Sequence, residues 1–344
     1  MSNHIFNQDS TEAHSAASIL NGDPDGIINY ERTNHKWAKS LYDIAETYTW
    51  FVGEVDISRD KLNNNKLSDQ HKRMYDLILA QLITNDSIQT KQLDSINGYI
   101  TSPVVNALLA RQAYEESNHS KAYSVMAEDI CGDTDRIFSM HKHDSELYRK
   151  NQAIADMYAK LYREDNPTTF DLLKVFCANQ ILEELVFPGG FVSMFSIGHI
   201  MTGSAKMIQF IMRDETNHVL IFKNIFRTTC RENGINITDS HHSDFVDELH
   251  DMIRIMCDAE IRWTKYATKG VLGFSDESIM IYVQHKANSV CKNLGLPLTF
   301  DDTDGGPLEK LRLKYDLLAS DNKSNFFETK VADYDMSGLD MSDL

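Results

Sequence analysis

The sequence predicts an all-α protein in which long helices pack as a bundle. Only six prolines occur in 344 residues, and the valine and isoleucine alternation typical of strands is scarce. Apolar residues instead recur at steps of three and four over long windows, which is the period of a helix with one buried face. Periodic stretches end at Asn233-Gly234, Lys269-Gly270 and Asn293-Leu294-Gly295, where glycine suits a left-handed C-cap.

The same periodicity predicts at least eight helices in a single domain, with no internal repeat. They cover residues 30–58, 68–97, 103–130, 134–163, 168–187, 191–230, 243–269 and 276–293. The two ends of the chain are polar or acidic and poorly periodic, so we predict flexible segments at 1–27 and 321–344 around a helical domain at 28–320.

Composition excludes several classes of function. The formal net charge of −17 disfavours binding to nucleic acids or to anionic membranes. Five scattered cysteines without a CxxC pair argue against disulfides and thiolate zinc sites, and indicate a reducing, cytoplasmic environment. No stretch of 18 apolar residues suggests a membrane span, and the first residues do not resemble an export signal.

Two predicted helices carry acids and histidines on faces that are otherwise apolar. Glu215 and His218 interrupt one stripe, and Glu116 and His119 interrupt another. The apolar members of the two stripes are Ile208, Ile211, Met212, Val219, Phe222 and Ile225, and Leu109, Ala113, Tyr123 and Met126. A glutamate and a histidine three residues apart project side by side, so both can reach one ion.

One such pair is a weak signal, because a lone buried histidine is more often hydrogen-bonded core than a ligand. Two pairs on separate helices match bundles that hold two iron or manganese ions, which take one further carboxylate from each of two other helices. Glu183 is a candidate for one of these carboxylates, because it lies on the apolar side of 168–187.

Charge repulsion supports a metal site at these residues. Two carboxylates ~4 Å apart repel by ~4 kcal/mol at an effective dielectric constant near 20, so a buried group of acids requires protons or cations. Two divalent ions balance four carboxylates, and oxygen with imidazole ligation favours iron or manganese over zinc.

Several segments in the right order resemble the small, radical-generating subunit of class I ribonucleotide reductase, a ferritin-like protein. The segments are WFVGEVDISRD (50–60), LDSING (93–98), EESNHSKAY (115–123), LEELVF (182–187), MRDETNH (212–218) and NFFETKVADY (325–334). The resemblance implies a homodimer with two iron ions, two manganese ions or a mixed pair per chain. It nominates Asp94, on the LDSING segment, as the remaining carboxylate ligand.

The resemblance also implies individual roles. Asp94, Glu116 and His119 would bind one ion, and Glu183, Glu215 and His218 the other, with bridging carboxylates. Tyr123 would be oxidised to a stable radical, in an apolar pocket formed by Phe187, Phe191 and Ile211.

A relay and a docking tail are implied as well. Trp50 and Asp214 would carry the oxidising equivalent from His119 towards the surface, and Tyr334 and Glu328 would continue it to a separate large subunit that reduces ribonucleotides. The C-terminal tail would dock there through the apolar residues Leu339, Met341 and Leu344.

Pro188-Gly189-Gly190 departs from the family pattern after Glu183. Proline and two glycines disfavour a regular helix, so we predict a break or bulge at this point. The usual aromatic residue four positions before Glu116 is replaced by Gln112.

Two other functions fit a ferritin-like di-metal bundle. One is an oxidase or hydroxylase that acts on its own substrate at the metals, and the other is iron storage. Neither needs Tyr123 or the tail.

Overall fold

The computed structural model describes residues 6–10, 12, 17–163 and 166–321, and for 160–163 and 317–321 it describes the backbone only. Within these ranges the chain forms twelve α-helices and no named strand, as the all-α prediction requires. The helices are α1 (Lys36–Thr47), α2 (Ser58–Asn63), α3 (Asp69–Asn97), α4 (Pro103–Met126), α5 (Thr134–His143), α6 (Ser145–Arg163), α7 (Thr169–Ile181), α8 (Phe187–Ser196), α9 (Thr202–Glu232), α10 (Ser243–Ala267), α11 (Asp276–Leu294) and α12 (Gly306–Asp321). None of the helices so described is both long and apolar enough to cross a membrane.

Some predicted boundaries were wrong. The helix predicted at 30–58 ends at Thr47, and Trp50 lies in the following non-helical segment. The helix predicted at 134–163 is divided at Asp144, whose carboxylate accepts hydrogen bonds from the first backbone N–H groups of α6. Helix α12 was not predicted at all.

The core lies between α3, α4, α9 and the continuous run formed by α7, a π-helical turn at Leu182–Val186 and α8. The N-terminal segment contributes to it, since Ile19 and Leu20 are buried. The backbone N–H of Ile19 donates to Glu232 at the end of α9, and its carbonyl accepts from the N–H of Thr101.

Asp60 anchors the N-terminus of α9. Its buried carboxylate accepts the backbone N–H groups of Gly203 and Ser204, at 3.1 and 2.6 Å, and the Ser204 hydroxyl at 2.8 Å. A Cβ on residue 203 would lie 2.7 Å from the carbonyl oxygen of Asp56, so only glycine fits this close approach. The anchor therefore fixes where α9 starts.

Replacing Asp60 with alanine is expected to lower the free energy of unfolding by about 3 kcal/mol, because two backbone donors lose their charged acceptor in a buried position. Denaturant titration of the metal-free protein measures this loss. Asp56→Ala is the matched control: its exposed carboxylate accepts hydrogen bonds from the backbone N–H and the side chain of Ser58, and its loss should cost less than about 1 kcal/mol. Equal losses in the two variants would contradict the anchoring role.

Candidate metal centre

Four helical segments bring six acidic and imidazole side chains together in the centre of the core. We call them the metal cluster: Asp86 of α3, Glu116 and His119 of α4, Glu183 of the π-helical turn, and Glu215 and His218 of α9. Each is at most 3% exposed. Five of the six are residues that the sequence predicted as ligands.

The cluster consists of two overlapping groups. One contains Asp86 and His119, the other contains Glu183 and His218, and both share Glu116 and Glu215; within each group the potential ligand atoms lie within 4.8 Å of one another. The Nδ1 atom of His119 is 3.2 Å from Glu215 and 3.5 Å from Glu116. The Nδ1 atom of His218 is 2.7 Å and 3.1 Å from the same two acids. Two shared carboxylates between two imidazoles suit a pair of bridged ions.

The structure does not bring Asp94 to the cluster, and we correct the predicted ligand to Asp86. Asp94 is exposed on α3, eight residues after Asp86, which corresponds to ~12 Å along the helix axis. Asp86 is fully buried, with one carboxylate oxygen 3.7 Å from Nδ1 of His119. It interrupts a buried apolar stripe that includes Leu82, Leu93 and Ile96.

Each histidine is held by an acid from the opposite helix. Asp214, which precedes Glu215 on α9, accepts Nε2–H of His119 of α4 at 3.1 Å. Glu115, which precedes Glu116 on α4, lies 3.0 Å from Nε2 of His218 of α9. Hydrogen bonds at Nε2 fix the rings so that both Nδ1 atoms face the cluster, which is how proteins orient histidine ligands of metals. Glu115 had not been predicted, although its position directly before GluxxHis repeats that of Asp214.

The two orienting acids are tied to the segment after α1. The indole N–H of Trp50 donates to Asp214 at 2.7 Å, and the Trp50 ring stacks near His119 with centroids 6.4 Å apart. Arg111 binds Glu115 at 3.0 Å and also donates to the hydroxyl of Thr49. A continuous chain of hydrogen bonds therefore joins Trp50, Asp214 and His119, in the order that the family resemblance implied.

The π-helical turn presents Glu183 to the cluster. Its i→i−5 bond from the N–H of Phe187 to the carbonyl of Leu182 precedes Pro188, which has no N–H to continue the ordinary ladder. The predicted irregularity therefore exists, but one turn before the predicted place, and α8 runs on through Gly189 and Gly190. Gln89 and Gln112 donate to Oε1 of Glu183 at 2.6 and 3.1 Å.

Without cations, the cluster retains protons. Burial and the charge of Glu116 raise the pKa of Asp86 well above its usual value, and burial and Glu215 do the same for Glu183. Burial alone would raise the pKa of Glu215, but His218 and His119 lower it. Burial alone would lower the pKa values of both histidines, but the surrounding carboxylates raise them well above the usual range.

The donor set fits two divalent ions. Both oxygens of Asp86, one oxygen each of Glu116, Glu183 and Glu215, and Nδ1 of His119 are buried without a hydrogen-bond partner among the described residues. Buried acids with unused oxygens need cations or protons. Carboxylates with two imidazoles match iron or manganese.

These pKa directions predict that metal affinity rises with pH. Asp86, Glu183 and both histidines hold protons in the metal-free cluster, and these protons must leave before the atoms can bind an ion. Each displaced proton should tighten binding about tenfold per pH unit. Titration calorimetry with Mn²⁺ between pH 6 and 8, in buffers of different protonation enthalpy, counts the protons. An affinity independent of pH would contradict the prediction.

Tyr123 lies one helical turn after His119 on α4 and is fully buried. Its hydroxyl has no hydrogen-bond partner among the described residues. Burial, strengthened by the charge of Asp86, raises the pKa of Tyr123 well above its usual value, so the phenol stays protonated. Phe187, Phe191 and Ile211, the predicted apolar pocket, are all buried, and the two phenylalanine rings stack.

The remaining predicted site residues, Tyr334 and Glu328, lie outside the described residues, as do Leu339, Met341 and Leu344.

Comparison with known proteins identifies the family. Residues 27–307 match the family model of the ribonucleotide reductase small chain. The chain is 30% identical to a ribonucleoside-diphosphate reductase subunit beta of Treponema pallidum over 331 residues, which cover 95% of this chain and 93% of the relative.

Solved structures agree on the fold. A ribonucleotide reductase R2 subunit from Clostridium botulinum superposes with a TM-score of 0.85 at 27% identity, covering 92% of this chain and 98% of that one. A dimanganese(II)-NrdF from Streptococcus sanguinis superposes with a TM-score of 0.71 at 21% identity, covering 83% and 98%. The predicted all-α, ferritin-like bundle is confirmed. Together with the match along most of its length, this places the chain in the ribonucleotide reductase small-chain family.

Proposed function

We propose that this chain uses two metal ions in the metal cluster to oxidise Tyr123 to a tyrosyl radical, which a catalytic large subunit then uses to reduce ribonucleotides. Family membership implies the large-subunit partner and a dimeric assembly. One observation carries the proposal: a fully buried tyrosine, whose hydroxyl has no partner among the described residues, lies one helical turn from His119 of the metal cluster. The proposal includes a cytoplasmic location and a flexible C-terminal tail after the helical domain.

The bound ions would supply the electrons that activate oxygen. Tyr123 would supply a further electron and, because its phenol is protonated, would also release a proton. Burial then protects the product, since neither water nor a reductant can approach a side chain that is 0% exposed.

The ligand set leaves iron, manganese and a mixed pair open. Four carboxylates balance the charge of two divalent ions of either element, and two imidazoles complete the set. The structural neighbour from Streptococcus sanguinis is a dimanganese(II) protein, but this does not assign a metal to the present chain.

Radical transfer out of the core would follow His119, Asp214 and Trp50. The two hydrogen bonds of Asp214 Oδ2, 3.1 Å to His119 and 2.7 Å to Trp50, make one continuous connection. Tyr334 and Glu328 of the tail would continue the route to the large subunit.

Trp50→Phe is expected to leave the radical in place but to lower ribonucleotide reduction by at least about 100-fold, because phenylalanine cannot donate to Asp214. The test compares the electron-spin signal with turnover in the presence of the large subunit. Trp37→Phe, a change outside the cluster, is the control and should retain both. Full turnover by Trp50→Phe would rule out this route.

Metal counting separates the proposal from its two alternatives. Storage would load many ions per chain, whereas the cluster offers ligands for two. A self-contained oxidase would turn over a small substrate without a large subunit and would not depend on Tyr123.

The whole proposal is tested by aerobic loading of the purified protein with iron or with manganese. We expect two ions per chain, a sharp, narrow tyrosyl electron-spin signal, and ribonucleotide reduction only when the large subunit is added. Full loading with two ions and no organic radical under either metal would refute the proposed function.

A further inference from the structure

A column of amide side chains runs along the buried side of α3. Gln81, Asn85 and Gln89 follow one another at four-residue steps, so neighbouring side chains lie on the same face, with Cβ atoms ~5–6 Å apart. All three are 0% exposed. An apolar side chain would ordinarily occupy each of these positions.

Each member of the amide column has an unsatisfied polar atom. Nε2 of Gln81, both Nδ2 and Oδ1 of Asn85, and Oε1 of Gln89 have no hydrogen-bond partner among the described residues. Burying an amide group that makes no hydrogen bond costs on the order of 1–3 kcal/mol by protein measurements, because the group loses its solvation by water. Native proteins usually satisfy such groups with ordered water, which needs two to four polar partners. Donors and acceptors on three successive turns meet that requirement.

One end of the amide column reaches the metal cluster. Nε2 of Gln89 donates to Oε1 of Glu183 at 2.6 Å. Gln89 therefore offers its remaining oxygen to the column while its amide nitrogen contacts a ligand.

The other end contacts Trp263, whose ring lies beside a buried ion pair. The indole N–H of Trp263 donates to Oε1 of Gln81, and the ammonium group of Lys150 lies 5.4 Å from the centre of the Trp263 ring. Lys150 in turn forms a salt bridge with Glu260. Lys150 and Trp263 also line a surface cleft of about 130 Å³ between α6 and α10, whose rim includes the exposed Arg149 and Arg262.

Gly189, in the Pro188-Gly189-Gly190 segment that departs from the family pattern, leaves room for this ion pair. A Cβ on Gly189 would lie 2.3 Å from Oε1 of Glu260, so a larger residue would displace the carboxylate. Burial lowers the pKa of Lys150 and raises that of Glu260, which brings the two groups closer to sharing a proton.

We propose that Gln81, Asn85 and Gln89 hold a file of water molecules that carries protons from Lys150, which lines the surface cleft and is paired with Glu260, to the metal cluster. The inference rests on the proposed function, because reduction of oxygen to water consumes one proton for every electron. Each water in the file accepts a proton on one side and donates one on the other. One proton then enters at the cleft and one arrives at the cluster, without electron transfer along the file.

A crystal structure of the metal-free protein tests the file without reference to activity. Ordered waters are expected within hydrogen-bonding distance of both Nδ2 and Oδ1 of Asn85. A well-ordered Asn85 whose two polar atoms contact only protein atoms, with no water between Gln81 and Gln89, would overturn the proposal.

Kinetics test the function of the file. Asn85→Leu fills the position with apolar atoms and is expected to slow radical formation at least about tenfold and to enlarge its solvent deuterium isotope effect, with two ions still bound. Asn85→Ser keeps a hydroxyl and leaves room for a further water, and should form the radical at close to the wild-type rate. Asn224→Leu, which removes a buried amide of α9 that donates to the carbonyl of Leu220, is the matched control.

The outcomes separate the two proposals. A wild-type rate in Asn85→Leu, or equal slowing in the leucine and serine variants, would overturn the water file. Should Asn85→Leu fail to load metal, the serine variant's rate and isotope effect and the crystallographic waters decide. Absence of any radical in the wild-type protein would instead refute the proposed function, while the ordered waters would still establish the file.

Discussion

Tyr123→Phe is expected to abolish the narrow electron-spin signal and to lower ribonucleotide reduction by at least about 1,000-fold, with two ions still bound. In the proposed function Tyr123 carries the oxidising equivalent, and phenylalanine cannot replace it. A large loss of turnover is therefore expected. The hydroxyl makes no hydrogen bond among the described residues, so its removal deprives no other group of a partner.

Fold and metal content should survive this change. Tyr123 is 0% exposed, and phenylalanine retains the ring that fills its place in the core. Tyr75→Phe is a stringent control, because Tyr75 is also buried and its hydroxyl lies 3.0 Å from that of Ser204, at the start of α9. It should retain both the signal and turnover, even though it loses a hydrogen bond that Tyr123→Phe does not.

Metal analysis and electron-spin spectroscopy on the same samples decide the result. An unchanged signal in Tyr123→Phe would place the radical on another residue. A lost signal accompanied by lost metal would assign Tyr123 a structural role instead, and would contradict the radical assignment.

The sequence was sufficient to identify the members of the metal cluster whose helices have strongly apolar faces. Glu116 with His119 and Glu215 with His218 stand out because a charge at helical spacing within a buried stripe requires compensation. The same reasoning supports Glu183. All five lie in the cluster.

Helical periodicity could not predict the contacts between helices. Helical periodicity shows which face of α4 or α9 is buried but not which acid crosses to which histidine, so the role of Glu115 at His218 was missed. The non-helical conformation around Trp50 was missed for a related reason, since tertiary contacts with Asp214 and Asn118 hold that segment after α1. The close approach of Glu260 of α10 to Gly189 likewise could not be read from the sequence.

The choice between Asp86 and Asp94 shows how a local motif can mislead. The tripeptide Asp-Ser-Ile occurs twice on α3, at 86–88 and at 94–96. The second copy, followed by Asn-Gly, was chosen for its resemblance to the family motif. The periodicity of α3 supports the first copy, because Asp86 lies among Leu82, Leu93 and Ile96, whereas Asp94 shares its face with polar residues.

Asp86→Ala and Asp94→Ala should therefore differ widely in metal binding. Removing Asp86 takes away the only carboxylate that belongs to the His119 group but not to the His218 group. The affinity for the ion in the His119 group is expected to fall by more than about 100-fold. Removing a residue that only orients a ligand already lowers metal affinity by up to about 100-fold, and removing a ligand should cost more. Asp94 is exposed, so Asp94→Ala should bind two ions with wild-type affinity.

Metal titration of the two variants also tests whether the two halves of the cluster are separable. Glu183 and His218, with the shared Glu116 and Glu215, remain complete in Asp86→Ala, so one ion should still bind per chain. Tyr123 should then form no radical, because a single ion supplies too few electrons to activate oxygen. Loss of metal in Asp94→Ala together with full loading of Asp86→Ala would reverse the assignment and show that α3 rotates or slides when the ions bind.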